Sequence, residues 1–260
     1  MKKKILIMLF EEGASALTYV NRFGGNFALR RMVMDGNAAA DAIVKNGGEA
    51  YVCDVYNKGR DIIDEELTKN AKRVYTKDLP ALLKEGIDGV ALIGTHAMNS
   101  AWQAFGSYSV NEIAWQEFRV NGVEYGDIGL AAMFLGAYNV PIVAVSGDLA
   151  AVKECQELVG EIPCAVVKTT KLRAITDSYL PEEEAEKLIA SVCVEGMRNS
   201  AQYKPYKVET PCTVRVLYNR ADYCDDAIRA YVSRGGLNRI SALVAEKTVE
   251  NIVEYNDLRI

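Results

Sequence analysis

A single imidazole, His96, serves 260 residues. It follows the apolar run Gly89-Val-Ala-Leu-Ile-Gly-Thr95, which reads as a buried strand ending at Gly94. The histidine is therefore presented in a loop beyond a strand end, where parallel sheets bind their ligands. Without a second imidazole a two-histidine metal site is excluded, and any metal must lean on carboxylates. Glu11 and Glu12 close the first apolar run, and Asp127 precedes an apolar segment that it could also cap as a helix. Serine nucleophiles lack support: there is no G-x-S-x-G elbow, and His96 is the one available base. Gly147-Asp148 follows a strand but lacks the further glycines and the Lys-Ser/Thr of a phosphate loop, so a nucleotide site is rejected. The six cysteines form no C-x-x-C pair, which argues for reduced thiols in a cytosol rather than a disulfide framework or zinc knot.

The elements that must carry these residues alternate between apolar runs and amphipathic stretches. Strands are expected at Ile5–Phe10, Ala50–Asp54, Gly89–Ile93, Ile142–Val145 and Cys164–Lys168. Helices are expected at Ala28–Asn46, ended by Gly47-Gly48, and at Pro80–Glu85, Leu149–Leu158 and Pro181–Met197. Residues 126–137 are apolar nearly all round and predict a buried helix. Residues 117–124 alternate around Asn121-Gly122, the strongest short hairpin signal. Past Gln202 a turn-rich link leads to a strand (Thr213–Tyr218), a helix (Ala221–Ser233), a strand (Arg239–Ala245) and a terminal helix (Thr248–Tyr255). This predicts an α/β fold, three-layer α/β/α with a largely parallel central sheet over residues 1–202, and a smaller C-terminal α+β lobe over 203–260.

Bulk composition narrows the function further. Half the residues are hydrophobic and a quarter charged, as in a globular domain, and the net charge of −5 offers no attraction for nucleic acid or anionic lipid. The basic start, Met1-Lys-Lys-Lys, precedes an apolar run too short for a signal peptide and without a small-residue cleavage site, so a first core strand is expected. No apolar stretch approaches a membrane span. The expected partner is a small molecule or short peptide, with no nucleic acid and no membrane, in the cytoplasm.

Three segments are more specific: GTHAMNS (94–100), VNGVEYGDIGLAAMFLGAYNVPIVAVSGD (120–148) and AVVKTTKLRAI (165–175). Together with the opening strand and Glu11-Glu12-Gly13, they resemble the D-aminopeptidase family, cytoplasmic zinc metallopeptidases known from a dipeptide-transport operon. The likeness runs in order over most of residues 4–190. It implies the three-layer α/β fold and a ring-shaped homo-oligomer, a decamer of two stacked pentamers. It also implies two zinc ions and removal of D-residues from the N-termini of short peptides.

Carried across position by position, the resemblance places the ligand glutamate of the D-x-E-G motif on Glu12, the G-x-H-A histidine on His96, and the G-E-x-G-L glutamate on Asp127. The motif's aspartate falls on Phe10, and a histidine after the second strand falls on Tyr56, so these two mark lost ligand positions in the pocket. The family's catalytic histidine in a Ser-His-Ser context corresponds to Tyr108, which can donate a hydrogen bond to an oxyanion but is a poor base at pH 7. The expectation is a divergent D-aminopeptidase-like hydrolase acting on a small peptide or amide. Tyr108 is its catalytic helper, and Glu12, His96 and Asp127 hold at most one zinc ion, or none. The alternative is a catalytically inactive oligomeric binding or assembly protein that keeps the scaffold, with Phe10, Tyr56 and Tyr108 as an aromatic plug. Metal-free chemistry by Tyr108 with Glu12 as base ranks last, because nothing in the spacing demands it. Trp102, Phe105 and Trp115 are expected at the pocket mouth, at a subunit contact or in the core.

Overall fold

A computed structural model describes residues 2–18, 26–56, 60–62, 64–172 and 175–254. The first strand, β1 (Lys4–Leu9), alternates Ile5, Ile7 and Leu9 with Leu6 and Met8, and every one of these side chains is fully buried. A strand apolar on both faces belongs in the middle of a covered sheet. β1 indeed lies third of seven in the order β3-β2-β1-β4-β7-β8-β9. These strands are β2 (Glu49–Asp54), β3 (Ala71–Arg73), β4 (Gly89–Thr95), β7 (Ile142–Asp148), β8 (Cys164–Leu172) and β9 (Ile175–Tyr179). All neighbours are parallel except the terminal pair of β8 with β9.

Helices cover both faces. α1 (Asn26–Lys45) and α5 (Glu182–Arg198) pack Met32, Ala39, Ile43, Ile189 and Val192 against Ile5, Ile7 and Leu9. On the other face, α2 (Leu79–Gly86), α3 (Asp127–Ala137) and α4 (Leu149–Val159) bring Leu83, Ile128, Leu135 and Val152 onto Leu6, Met8 and Phe10. The expected α/β/α sandwich is present. The chain order turns outward in both directions from β1 and β4, so the crevice beyond their C-terminal ends is a topological switch point.

A second, antiparallel sheet is ordered β11-β12-β10-β5-β6. It joins the hairpin β5 (Trp115–Val120) and β6 (Val123–Glu124) to β10 (Cys212–Tyr218), β11 (Asn238–Arg239) and β12 (Val244–Val249), with α6 (Ala221–Tyr231) packed nearby. Its core holds Trp115, Phe118, Val214, Val216, Tyr218 and Tyr231, and it reaches Leu130 and Met133 of α3. The helix expected to be buried all round is therefore gripped by two cores.

Two local expectations fail near the end of the chain. The single strand expected at Arg239–Ala245 is broken by a turn: β11 ends at Arg239 and β12 begins at Val244, with Ile240 N and Ser241 N both donating to Val244 O. Thr248 and Val249 do not start a helix: they extend β12, paired with Thr213 and Cys212. Their β-branched side chains suit the pleated pairing. A short 3₁₀ turn follows at Ile252–Glu254, and Tyr255 lies outside the described residues. The edge strands β3 and β9 were not foreseen; one is three residues long and the other largely exposed, so neither leaves an apolar alternation to read. Among the described residues no helix is long and apolar enough to cross a membrane.

Glycines hold the strand ends together. Gly94 has φ +77°, and a Cβ there would lie 2.2 Å from the Phe10 carbonyl oxygen. Gly94→Ala is expected to cost about 2–4 kcal/mol from the left-handed backbone and overpacking combined. Urea unfolding checks this, and an unchanged midpoint would contradict it.

Candidate functional site

The ends of β1 and β4 are laced by backbone bonds. Phe10 N donates to Ile93 O at 2.8 Å, and Gly13 N donates to Gly94 O at 2.8 Å. This seats Glu12 beside the loop that carries His96. That loop folds back on itself: Ala97 N donates to Gly106 O and Tyr108 N to Ala97 O, both at 3.3 Å. This parallel bridge of Ala97 with Ser107 stacks the Tyr108 ring on the His96 imidazole, with centroids 4.0 Å apart and planes at 24°. Gly106 lies between the two halves of the site, since a Cβ there would meet His96 Cβ at 3.3 Å and Glu12 Cβ at 3.5 Å.

The side chains then form a continuous hydrogen-bonded chain. Tyr108 Oη donates to Glu12 Oε1 at 2.5 Å and lies 3.2 Å from Tyr56 Oη. Tyr56 Oη is 3.1 Å from His96 Nε2, and His96 Nδ1 is 3.1 Å from Ala97 O. With Nδ1–H donating to that carbonyl, Nε2 accepts the Tyr56 hydroxyl when the ring is neutral and donates to it as the imidazolium. Asp127 Oδ2 lies 3.7 Å from Nε2 and accepts Val110 N at 2.8 Å. Gly126, not Asp127, occupies the cap position of α3, and the aspartate carboxylate is turned toward Val110 N and His96 instead. Phe10 meets the Tyr56 ring edge-on at 6.0 Å. All six residues singled out from the sequence, Phe10, Glu12, Tyr56, His96, Tyr108 and Asp127, thus converge on one place. Trp115 instead packs in the second sheet's core, Phe105 is buried, and Trp102 points outward with 67% exposure.

Electrostatics sharpen the roles. Burial, then the charges of Glu12 and Asp127, raises the Tyr108 pKa far above its ordinary value, and burial does the same for Tyr56. Both phenols stay protonated and act as hydrogen-bond donors. For His96, burial works against the charged form, but Asp127 and then Glu12 outweigh it and lift the pKa above the usual imidazole value. Burial raises Asp127 and pushes Asp54 up to about 6; Glu11 rises to about 7 through burial and the neighbouring carboxylates. Asp54 itself is occupied in holding a loop, accepting the backbone N–H groups of Tyr56 at 2.7 Å and Asp61 at 2.8 Å.

Three supporting residues are not picked out by the sequence as part of this site, Asp148 standing out there only in the rejected phosphate loop. Glu154 Oε2 accepts Met98 N at 2.7 Å and pins the His96 loop. Asp148 caps α4 through Ala151 N at 2.8 Å and also accepts Phe105 N. Lys168, almost fully buried, donates to Ala14 O at 2.6 Å and sits 4.2 Å over the Phe105 ring, bracing both loops. No spacing rule marks a charged residue that is buried only because loops from elsewhere close over it.

The zinc that the sequence resemblance implies does not fit this donor set. Among the described residues no three His, Cys, Asp or Glu side chains are arranged to hold an ion. Glu12, His96 and Asp127 share the pocket, but Glu12 Oε1 and His96 Nε2 are each engaged by a phenol hydroxyl.

Fold and site together define a three-layer α/β protein with a packed cluster of carboxylate, histidine and tyrosine side chains at its topological switch point. The sequence model of the D-aminopeptidases matches residues 14–255. The D-aminopeptidase of Bacillus subtilis (strain 168) is 27% identical over 212 residues, 78% of this chain and 76% of its own length. The solved structure of Zn-dependent D-aminopeptidase DppA from Bacillus subtilis, described as a self-compartmentalizing protease, has the same fold. It superposes with a TM-score of 0.84 at 21% identity, over 98% of this chain and 94% of that one. The chain belongs to the D-aminopeptidase family.

Lys168 provides a pH test of the packing beneath the site. Burial, partly offset by Asp148 and Asp35, lowers its pKa from 10.5 to about 7. Between those values the unfolded chain holds a proton that the folded chain has released, so this residue makes stability rise with pH. Urea midpoints of the wild type should climb from pH 7 to 10 relative to those of Lys168→Met. Parallel curves would show that the lysine titrates normally.

Proposed function

We propose that the chain hydrolyses the amide bond of a short peptide or small amide carrying a free amino group, with an N-terminal D-residue as the family name suggests. The observation that carries this reading is the Glu12–Tyr108 pair at the switch point. One carboxylate oxygen is held by the phenol at 2.5 Å, and the other, Oε2, is buried with no hydrogen-bond partner among the described residues. A carboxylate so fixed is set to accept a proton from water or to receive an N–H group. Tyr108 and Tyr56, held protonated, supply donors for a developing oxyanion. The carboxylates of Glu12 and Asp127 suit the positive charge of a substrate amino group. Homo-oligomeric assembly in a reducing cytoplasm completes the proposal. The Bacillus structure is of a self-compartmentalizing protease, and the six cysteines here are all unpaired.

A second reading is favoured by the closure of the cluster on itself: Tyr108 on Glu12 and Tyr56 on His96 could equally mark a non-catalytic binding or assembly protein. Release of amino acid from short peptides with N-terminal D- or L-residues separates the two. Glu12→Gln is expected to lower turnover about 10²–10⁴-fold and Tyr108→Phe by at least about 10-fold. An absence of release by the wild type from both peptide sets would leave only the second reading.

A further inference from the structure

The disagreement between the family's zinc dependence and this pocket extends beyond the hydrolase reading. We infer that the site works without bound zinc, the two phenol hydroxyls of Tyr56 and Tyr108 having closed off the atoms that an ion would need.

Three observations, set against one general requirement, carry this. A zinc site needs about four N, O or S donors converging at roughly 2.0–2.3 Å from the ion. Of the pocket's donors, Glu12 Oε1 is bound by Tyr108, His96 Nε2 by Tyr56, and Asp127 Oδ2 by the Val110 N–H. His96 and Asp127, at 3.7 Å, make a pair at most, and no described third ligand joins them. Finally, the phenols are not free to swing aside. The Tyr108 ring is stacked flat on His96, and Tyr56 is wedged between that imidazole and the edge of Phe10, a residue only 2% exposed. Admitting an ion would require one buried and one half-buried aromatic ring to leave and their hydrogen bonds to be replaced.

What the cluster retains is Glu12 Oε2, which has no partner among the described residues. It is therefore built to receive a hydrogen-bond donor from an organic ligand or water rather than to complete a metal's coordination shell.

The test is zinc content, independent of turnover. Full-length protein purified without chelator and titrated with zinc should hold less than about 0.1 ion per chain after dialysis. The Phe10→Asp/Tyr56→His double variant adds a carboxylate and an imidazole beside Glu12, His96 and Asp127. It should take up at least one ion, and cobalt substituted for zinc should give it a visible absorption band that the wild type lacks. Wild-type protein holding near-stoichiometric zinc overturns the inference whether or not the variant folds. So does a folded double variant that gains no metal, because the added ligands were then not what was missing. Zinc content and peptide release fail separately. A zinc-free, inactive wild type sinks the hydrolase reading alone, and a zinc-loaded, active one sinks this inference alone.

Discussion

Backbone meets backbone at the ends of β1, β4 and β7 more closely than any side chain allows. A Cβ on Gly13 would sit 1.9 Å from Thr95 O, and one on Gly147 would sit 2.4 Å from the same oxygen. Glycine is the residue that permits such an approach. Because of it, the turn after β1 and the loop after β4 share one small volume, and Glu12, His96 and Tyr108 come from distant parts of the chain yet touch. Wider spacing of these strand ends would leave each polar group to water.

Around that contact the interior is unusually rich in charge. Arg31 is buried, donating to Ser15 Oγ, Asp35, Glu182 and Glu186, and it ties α1 to α5 beneath the same turn. Ser15 N in turn donates to Asp35 at 2.7 Å. Lys168 reaches the neighbouring carbonyl of Ala14 from β8. Buried polar groups are tolerable only when partnered, and partnering fixes geometry. The loop bearing Glu12 is thus held from the helix side by an aspartate and from the sheet side by a lysine, leaving the carboxylate itself little freedom.

Much of the central architecture is legible in the chain because it is local. Ile5 to Leu9 announce a doubly covered strand, Pro181 and three glutamates open α5, and Asn121-Gly122 marks its hairpin. The convergence of Phe10, Glu12, Tyr56, His96, Tyr108 and Asp127 follows from motif resemblance; no periodicity or spacing reveals it. What stays hidden depends on distant partners. Thr248 and Val249 are strand residues because Thr213 and Cys212 lie alongside, and their own neighbourhood suggests a helix equally well. Lys168 looks like any polar residue late in a strand until the loops at residues 14 and 105 fold over it. The mutual capping of Glu12 and His96 by phenols is likewise a matter of approach in space.

The hairpin at 115–124 pairs with β10, a strand that begins almost a hundred residues later. During synthesis on the ribosome, the strands of the large sheet are all available before that partner emerges. Trp115, Phe118 and Val120 then wait with their apolar faces uncovered, along with the outer side of α3, until residues 212–249 arrive. The nascent protein therefore passes through a stage in which half of its second core is exposed, and that interval is when it most needs protection from aggregation.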